Sequence, residues 1–331
     1  MLFFRTAHGG EKFYYVILVA TLKGGNQMSF LNEVELGIGT WAWGDSSVWK
    51  FGKGYGPGDL KEAFDAAVES GIRLFDTAEV YGDGKSESYL GEFLKTTPDR
   101  GIKIATKFMP FPWKIGTDHL LKSLKRSLRR LDLKQVDLYQ VHFPMPFRSI
   151  EAWMEPLAQS VKEGLSKEVG VSNYSRDQMR RAQDALGKHG VPLASNQVQL
   201  SLVRRKNDFN GVLETCRQTG VKLIAFSPLG MGMLSGKYSA QNPPAGPRRL
   251  FYMGQLERIQ PLVELLKKIG AAHGGKTSNQ VALNWLLGKG ALPIPGGKTA
   301  AQVRENIGAL GWRLTPNEVA ELDLASSSFK G

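Results

Sequence analysis

The chain is almost free of cysteine. Among 331 residues there is one, Cys216, so no intramolecular disulfide can form and no cysteine-rich metal site can be built. Within LETCRQTG it reads as a small buried residue on a helix, and its rarity suits a reducing compartment. Histidine is scarce too: five, spread apart, with no H-x-H or H-E-x-x-H pair, so no metal ligand is assigned. No apolar run reaches the roughly 20 residues that a membrane helix needs. Acidic residues are outnumbered, 31 against 43 basic, for a formal charge of +12. A basic chain can attract nucleic acid, anionic membranes or phosphorylated ligands. Much of this charge lies in KSLKRSLRRLD, where Lys122, Lys125, Arg126, Arg129 and Arg130 share one helix face and Leu121, Leu124, Leu128 and Leu131 another. That is the pattern of a solvated outer face. No nucleic-acid motif or aromatic ladder accompanies it, so neither a nucleic-acid nor a membrane partner is expected.

What is present is an alternation. Short β-rich runs recur from Glu35 onward: ELGIGTW, IRLFDTA, KIATKF, DLYQVH, KEVGVSN, LASNQVQ, KLIAFSPL and LPIPGG. Helix-like stretches separate them, with Asp59 and Ser175 as N-cap candidates and Gly71 and Gly220 as terminators. Strands alternating with helices predict a parallel sheet with helical crossovers. Eight such runs predict an α/β fold, a single (β/α)8 TIM barrel with long loops at its C-terminal face. The two long loops are TWAWGDSSVWKFGKGYGPGDL and GMGMLSGKYSAQNPPAGPRRLFYMGQ, and long loops in compact domains are often functional. No composition shift marks a boundary, so residues 28–331 are read as one barrel domain. Residues 1–27, with the apolar FYYVILVATL, are read as an N-terminal extension without a catalytic role. A leader, an upstream-start extension and a short strand all stay open for it. The expected compartment is the cytoplasm, with organelle targeting through the extension not set aside.

Two nucleotide-binding patterns fail on context. Gly37-Ile-Gly39-Thr-Trp-Ala42 fits G-x-G-x-x-A, but a loop follows it, and the fingerprint works by placing pyrophosphate at a helix N-terminus. Gly270 to Thr277 fits the phosphate-loop pattern letter for letter, but a helix precedes it and not a strand. Thr277 or Ser278 reads instead as the cap of NQVALNWLL.

Four polar residues stand where apolar runs stop. Asp76 and Tyr81 lie in FDTAEVYG, Lys107 in IATK and His142 at the end of DLYQVH. Together a carboxylate, a phenol, an ammonium and an imidazole can protonate a carbonyl oxygen. A phenol with a pKa near 10 is protonated at neutral pH. A neighbouring Lys⁺ favours the phenolate and eases proton release, a carboxylate holds the lysine charged, and an imidazole orients the carbonyl or relays a proton.

These motifs resemble those of the aldo-keto reductase family over about residues 33–306. Asp-Thr-Ala-x-x-Tyr-Gly spans Asp76 to Gly82, with Ser86 and Glu87 following. Ala-Thr-Lys ends at Lys107, Asp-Leu-Tyr-Gln-Val-His at His142, Gly-Val-Ser-Asn at Asn173, and Phe-Ser-Pro-Leu-Gly runs from Phe226 to Gly230. The resemblance implies a reductase of small-molecule aldehydes or ketones. It implies NADPH (NADP+) bound in extended form, with NADH less favoured. Thr40 and Trp41 are counted with the cofactor residues. By the same analogy Ser172, Asn173 and Gln197 hold the carboxamide, and Phe226 stands where the family often stacks a tyrosine. Ser227, Leu229, Gly232, Leu234 and Lys237 follow the pyrophosphate, and Pro228 and Gly230 between them are counted with the cofactor residues. Gly296, Gly297 and Lys298 approach the 2′-phosphate, and Gln302 and Asn306 face the adenine. One branch has Lys-Ser where Gly296-Gly297 stands, so NADPH preference rests mainly on Lys298 and the helix start behind it. Trp41, Trp43, Trp49 and Trp113 are expected to wall the substrate pocket. The alternative reading is a cofactor-binding partner or redox-sensing subunit with little turnover. Monomer and homo-oligomer stay equally open.

Overall fold

The structure, a computed structural model, describes residues 29–330 apart from 98–100, 115, 117, 147, 245, 247–248 and 250–253. The expectation for residues 1–27 therefore lies outside the described residues. The eight runs form eight parallel strands: β1 Gly37–Gly39, β2 Leu74–Asp76, β3 Lys103–Phe108, β4 Val136–Val141, β5 Ser166–Ser172, β6 Leu193–Gln199, β7 Lys222–Phe226 and β8 Leu292–Ile294. Each pairs with the next in sequence order, and a parallel bridge between Gly39 and Gly296 closes the ring. The (β/α)8 barrel read from the sequence is the observed fold.

The seam closes because β1 carries glycines. A Cβ on Gly39 would stand 2.9 Å from the Ile294 carbonyl oxygen, and the Gly39 amide instead donates to Pro295 O at 3.0 Å. The strands are buried on both faces, so they read as apolar runs and not as strict alternations. Their inward side chains, Leu74, Ala105, Leu138, Ile224 and Leu292, pack into one small cluster. Leu31 joins it from the turn Phe30–Asn32. Ser29 Oγ donates to Glu168 Oε2 at 2.6 Å and the Phe30 amide donates to Oε1 at 3.0 Å, which fixes that turn to β5.

Helices cover the outside, and their ends follow their sequences. Ser175 caps Arg176–Gly187 in a reciprocal box with Gln178, and Thr277 caps Ser278–Gly288 in another with Gln280. Gly220 ends Val212–Thr219 in the left-handed region. One cap differs from expectation: Gly56 is the N-cap of Pro57–Glu69, and Asp59 sits three residues in, accepting the Gly56 amide at 2.8 Å. The basic helix Asp118–Leu131 buries Leu120, Leu124, Leu128 and Leu131, leaving Leu121 half-buried. Part of its charge is neutralised within the fold: Arg130 pairs with the buried Glu87 at 2.6 Å, Lys122 with Asp118 at 2.5 Å and Lys125 with Glu163 at 3.3 Å. Cys216 is buried as expected, and burial pushes its thiol up to about 12. Among the described residues no helix is long and apolar enough to cross a membrane. Both discounted nucleotide patterns stay discounted, since β1 opens into a loop and Gly270 lies inside the helix Leu256–Ala272.

Candidate active site

The ends of β2, β3 and β4 lie side by side, so three residues far apart in sequence arrive together. Asp76 is the last residue of β2, Lys107 the fifth of β3, and His142 follows β4, its amide donating to Phe108 O at 2.9 Å. Tyr81 begins the one-turn helix Tyr81–Gly84 after β2. Lys107 is completely enclosed and Asp76 is 2% exposed. The Lys107 ammonium donates to Asp76 Oδ1 at 2.5 Å, to Thr77 O at 2.8 Å and to Tyr81 Oη at 3.4 Å. The other Asp76 oxygen accepts from Gln197 Nε2 at 2.8 Å and Gln140 Nε2 at 3.4 Å. A buried ion pair costs heavily in desolvation unless its remaining hydrogen-bonding capacity is met, and here both carboxylate oxygens have donors. Ser86 and Glu87 brace the turn from outside. Ser86 Oγ meets Thr40 and Thr77 Oγ1 at 2.7 and 2.9 Å, and Glu87 accepts Thr106 Oγ1 at 2.5 Å.

The electrostatics differ in one respect from the sequence expectation. Burial raises the Tyr81 pKa above its ordinary value, Lys107 pulls it down, and Asp76 adds to the rise. The net direction is upward, so the resting phenol is firmly protonated. Burial works against the Lys107 charge, but Asp76 and Tyr81 outweigh it and hold the ammonium above its ordinary value. The His142 ring centre stands 5.9 Å from that of Tyr81. Burial, and then the Lys107 charge, lower its pKa to about 3. His142 is therefore neutral at physiological pH. We expect kcat/KM for carbonyl reduction to show no inflection near 6.5, measured across the neutral range; an inflection there would contradict a neutral His142. The sign for stability follows by linkage. The folded value lies below the unfolded one of about 6.5, so the unfolded chain takes up more protons between the two. This contribution is complete above about pH 6.5 and is lost as pH falls toward 3.

A cavity of about 320 Å³ opens from Tyr81 and Asp76 and runs past β7 and β8 to the helix Ala300–Ile307. Its size lies in the range of small-molecule sites. Of the sequence-expected residues, Trp41, Trp49, Gln197, Phe226, Ser227, Pro228, Leu229, Gly232, Lys237, Gly296, Lys298, Gln302 and Asn306 line it. Others are placed elsewhere. Thr40 is fully buried, and both its amide and its hydroxyl donate to Asp76 O. Gly230 and Leu234 are buried below the wall. Gly297 packs against Val303 and accepts Trp43 Nε1 at 2.8 Å. Ser172 and Asn173 lie beside His142: Asn173 Nδ2 donates to His142 O at 3.1 Å and to Ser172 Oγ at 3.0 Å.

Two tryptophans need correction as pocket walls. Trp43 is fully enclosed between Phe75 and Phe93, because its indole N–H is drawn inward to Gly297 O. Trp113 is 70% exposed and stacks on Phe111 with ring centres 4.7 Å apart, outside the cavity lining. Sequence reasoning missed Gln140, Met231, Asn279 and Glu305. Gln140 was findable: Leu138 points into the barrel interior, and side chains alternate along a strand, so Gln140 and His142 follow on the same side. Asn279 and Glu305 carried no signal, since their relevance comes only from helices meeting across the cavity.

The wall suits a long ligand with planar rings and several negative charges. Trp41, Trp49 and Phe226 offer ring faces, and Lys237 and Lys298 positive charge. Gly296 leaves the wall bare, its nearest neighbour for a Cβ being Gly39 O at 3.9 Å. The buried Asn279 Oδ1 has no hydrogen-bond partner among the described residues. These features fit a nicotinamide dinucleotide.

A parallel barrel with a phenol, a buried ammonium–carboxylate pair and a cleft lined by ring faces and lysines at its C-terminal face defines a barrel oxidoreductase. The chain belongs to the aldo/keto reductase family, whose model matches residues 35–326. It is 39% identical over 315 residues to a chloroplastic pyridoxal reductase of Arabidopsis thaliana, covering 91% of this chain and 85% of that protein. In structure it is similar to a glycerol dehydrogenase from Gluconobacter oxydans, with a TM-score of 0.77 and 26% identity over 89% of this chain and 92% of the other. It is also similar to an aldo-keto reductase from Klebsiella pneumoniae solved with NADPH, with a TM-score of 0.68 and 25% identity over 88% of this chain and 90% of the other.

Proposed function

We propose that the chain is an NADPH-dependent reductase of aldehyde or ketone carbonyls, with Tyr81 as proton donor. The observation that carries this reading is the Tyr81–Lys107–Asp76 chain, buried at its carboxylate end and facing the cavity at its phenol. Bound there, such a cofactor would supply hydride to the carbonyl carbon. Gln197 and Phe226 would hold its nicotinamide end, Ser227 and Lys237 its diphosphate, and Lys298, Gln302 and Asn306 its adenosine end. Ser172 and Asn173 position His142 and the nicotinamide side of the site.

Tyr81 Oη gives its proton to the carbonyl oxygen. Burial keeps that proton in place until an acceptor arrives. The Lys107 charge then stabilises the phenolate, and at 3.4 Å with an effective dielectric near 20 the attraction is about 5 kcal/mol. Asp76 keeps Lys107 charged and aimed. His142, neutral, offers a ring nitrogen to the carbonyl oxygen without adding a competing charge.

The 39% identity to a pyridoxal reductase makes pyridoxal the first substrate to test, beside aromatic aldehydes, ketones and sugars. We expect steady NADPH oxidation with at least one aldehyde and slower turnover with NADH. Tight NADPH binding without turnover across the whole panel would favour a cofactor-binding subunit instead. Because that relative carries the description chloroplastic, the compartment is part of the proposal. Fluorescent fusions of residues 1–331 and 28–331 decide between cytoplasm and organelle.

A further inference from the structure

The long loop between β1 and the helix Pro57–Glu69 is not explained by the four catalytic residues, yet its side chains are built into the far end of the cavity. The Lys298 ammonium lies 5.3 Å from the ring centre of Trp49 and 4.7 Å from that of Tyr55. The Trp49 backbone and the Tyr55 ring are tied by the loop's own bonds. Asp45 Oδ1 gathers the turn by accepting Ser47 Oγ at 2.9 Å and the Val48 and Trp49 amides at 2.8 and 3.4 Å. Tyr55 Oη donates to Ala42 O at 2.6 Å. The Lys298 backbone is fixed too, its amide donating to Gln302 Oε1 at 2.9 Å at the start of the helix Ala300–Ile307.

We propose that Trp49 and Tyr55 are positioning residues for Lys298. Their rings form a seat that holds the ammonium in the cavity wall, so preference for a dinucleotide bearing a 2′-phosphate depends on this loop as well as on Lys298. The inference rests on the NADPH reading given above. Its physical basis is that a ring face attracts a cation within about 6 Å of its centre without neutralising it. A lysine carries about 2 kcal/mol of rotamer entropy, and a seat removes part of that freedom before the anion arrives. Trp49 also meets Trp41 edge-on at 5.6 Å, and Trp41 lies 6.3 Å from Tyr81. One aromatic row thus extends from the seat to the proton donor.

The test is equilibrium binding, by titration calorimetry of NADPH and NADH to the full chain without substrate. Trp49→Leu is expected to weaken NADPH binding roughly tenfold, the size of a partly desolvated cation–π contact, with NADH changed less than about twofold. Trp49→Phe and Tyr55→Phe keep a ring and are expected to hold the NADPH-to-NADH ratio within about threefold of the parent. Trp49 is only half-buried, and should Trp49→Leu lower the melting temperature, Trp49→Gln repeats the measurement with a flat polar side chain. An unchanged ratio in Trp49→Leu and Trp49→Gln, with a reduced one in Lys298→Ala, overturns the seat and leaves the proposed function intact. An unchanged ratio in Lys298→Ala overturns both the seat and the role of Lys298. Failure of the parent chain to bind either dinucleotide overturns the proposed function itself.

Discussion

Tyr81→Phe is expected to lower kcat for carbonyl reduction by about three orders of magnitude, within the range of a lost general acid, while NADPH affinity stays near that of the parent. The substitution removes one oxygen. It leaves the ring against Trp41 and His142 and the cation against the ring face, where Lys107 Nζ lies 4.9 Å from the ring centre. It also leaves the Asp76 pair intact, because Lys107 keeps its bonds to Asp76 Oδ1 and Thr77 O. The loss therefore falls on proton transfer. Burial has raised the phenol's pKa, so the parent should keep its proton donor through neutral pH and lose it only in the strongly alkaline range. Near-parental turnover in Tyr81→Phe would remove Tyr81 from the acid role. Loss of NADPH binding would show that the ring oxygen serves the cofactor instead.

Lys107→Met should damage both activity and fold. Methionine approximates the lysine stem in volume but leaves Asp76, 2% exposed, without its cation. Breaking a buried pair from one side typically costs about 3–5 kcal/mol. Gln197 and Gln140 still donate to the other carboxylate oxygen, Oδ2, which places the expected loss at the lower end of that range. Turnover should fall by about two orders of magnitude or more, since the phenolate also loses its neighbouring charge. The diagnostic is the double variant Asp76→Asn/Lys107→Met. Neutralising the stranded carboxylate is expected to restore part of the melting temperature and none of the activity. A double variant less stable than Lys107→Met alone would contradict the pairing argument.

The barrel and its four polar residues were legible because both depend on position along a strand. An apolar run that ends in Asp76, Lys107 or His142 states where the strand stops, and parallel strands bring all such ends to one face. The tryptophans were not legible on the same terms. Trp41, Trp43 and Trp49 share one loop, and nothing in TWAWGDSSVW says that Trp43 turns inward to Gly297 O while Trp49 meets Lys298. Those directions are set by a carbonyl and a cation roughly 250 residues further along the chain. The same limit hid Asn279, whose orphaned oxygen faces a wall assembled from both ends of the molecule. The upward shift of Tyr81 was hidden too. The sequence shows the lysine that lowers the pKa of the phenol but not the burial that outweighs it.

The central claim is that Tyr81 and its partners complete a hydride transfer to a carbonyl within this cavity. It is tested most directly by supplying the purified chain with NADPH deuterated at C4 together with pyridoxal and a panel of aromatic aldehydes, then examining the products by mass spectrometry. The account predicts an alcohol carrying deuterium on the former carbonyl carbon, formed by the parent chain and almost absent with Tyr81→Phe. Dinucleotide binding with no deuterated alcohol from any aldehyde would contradict it.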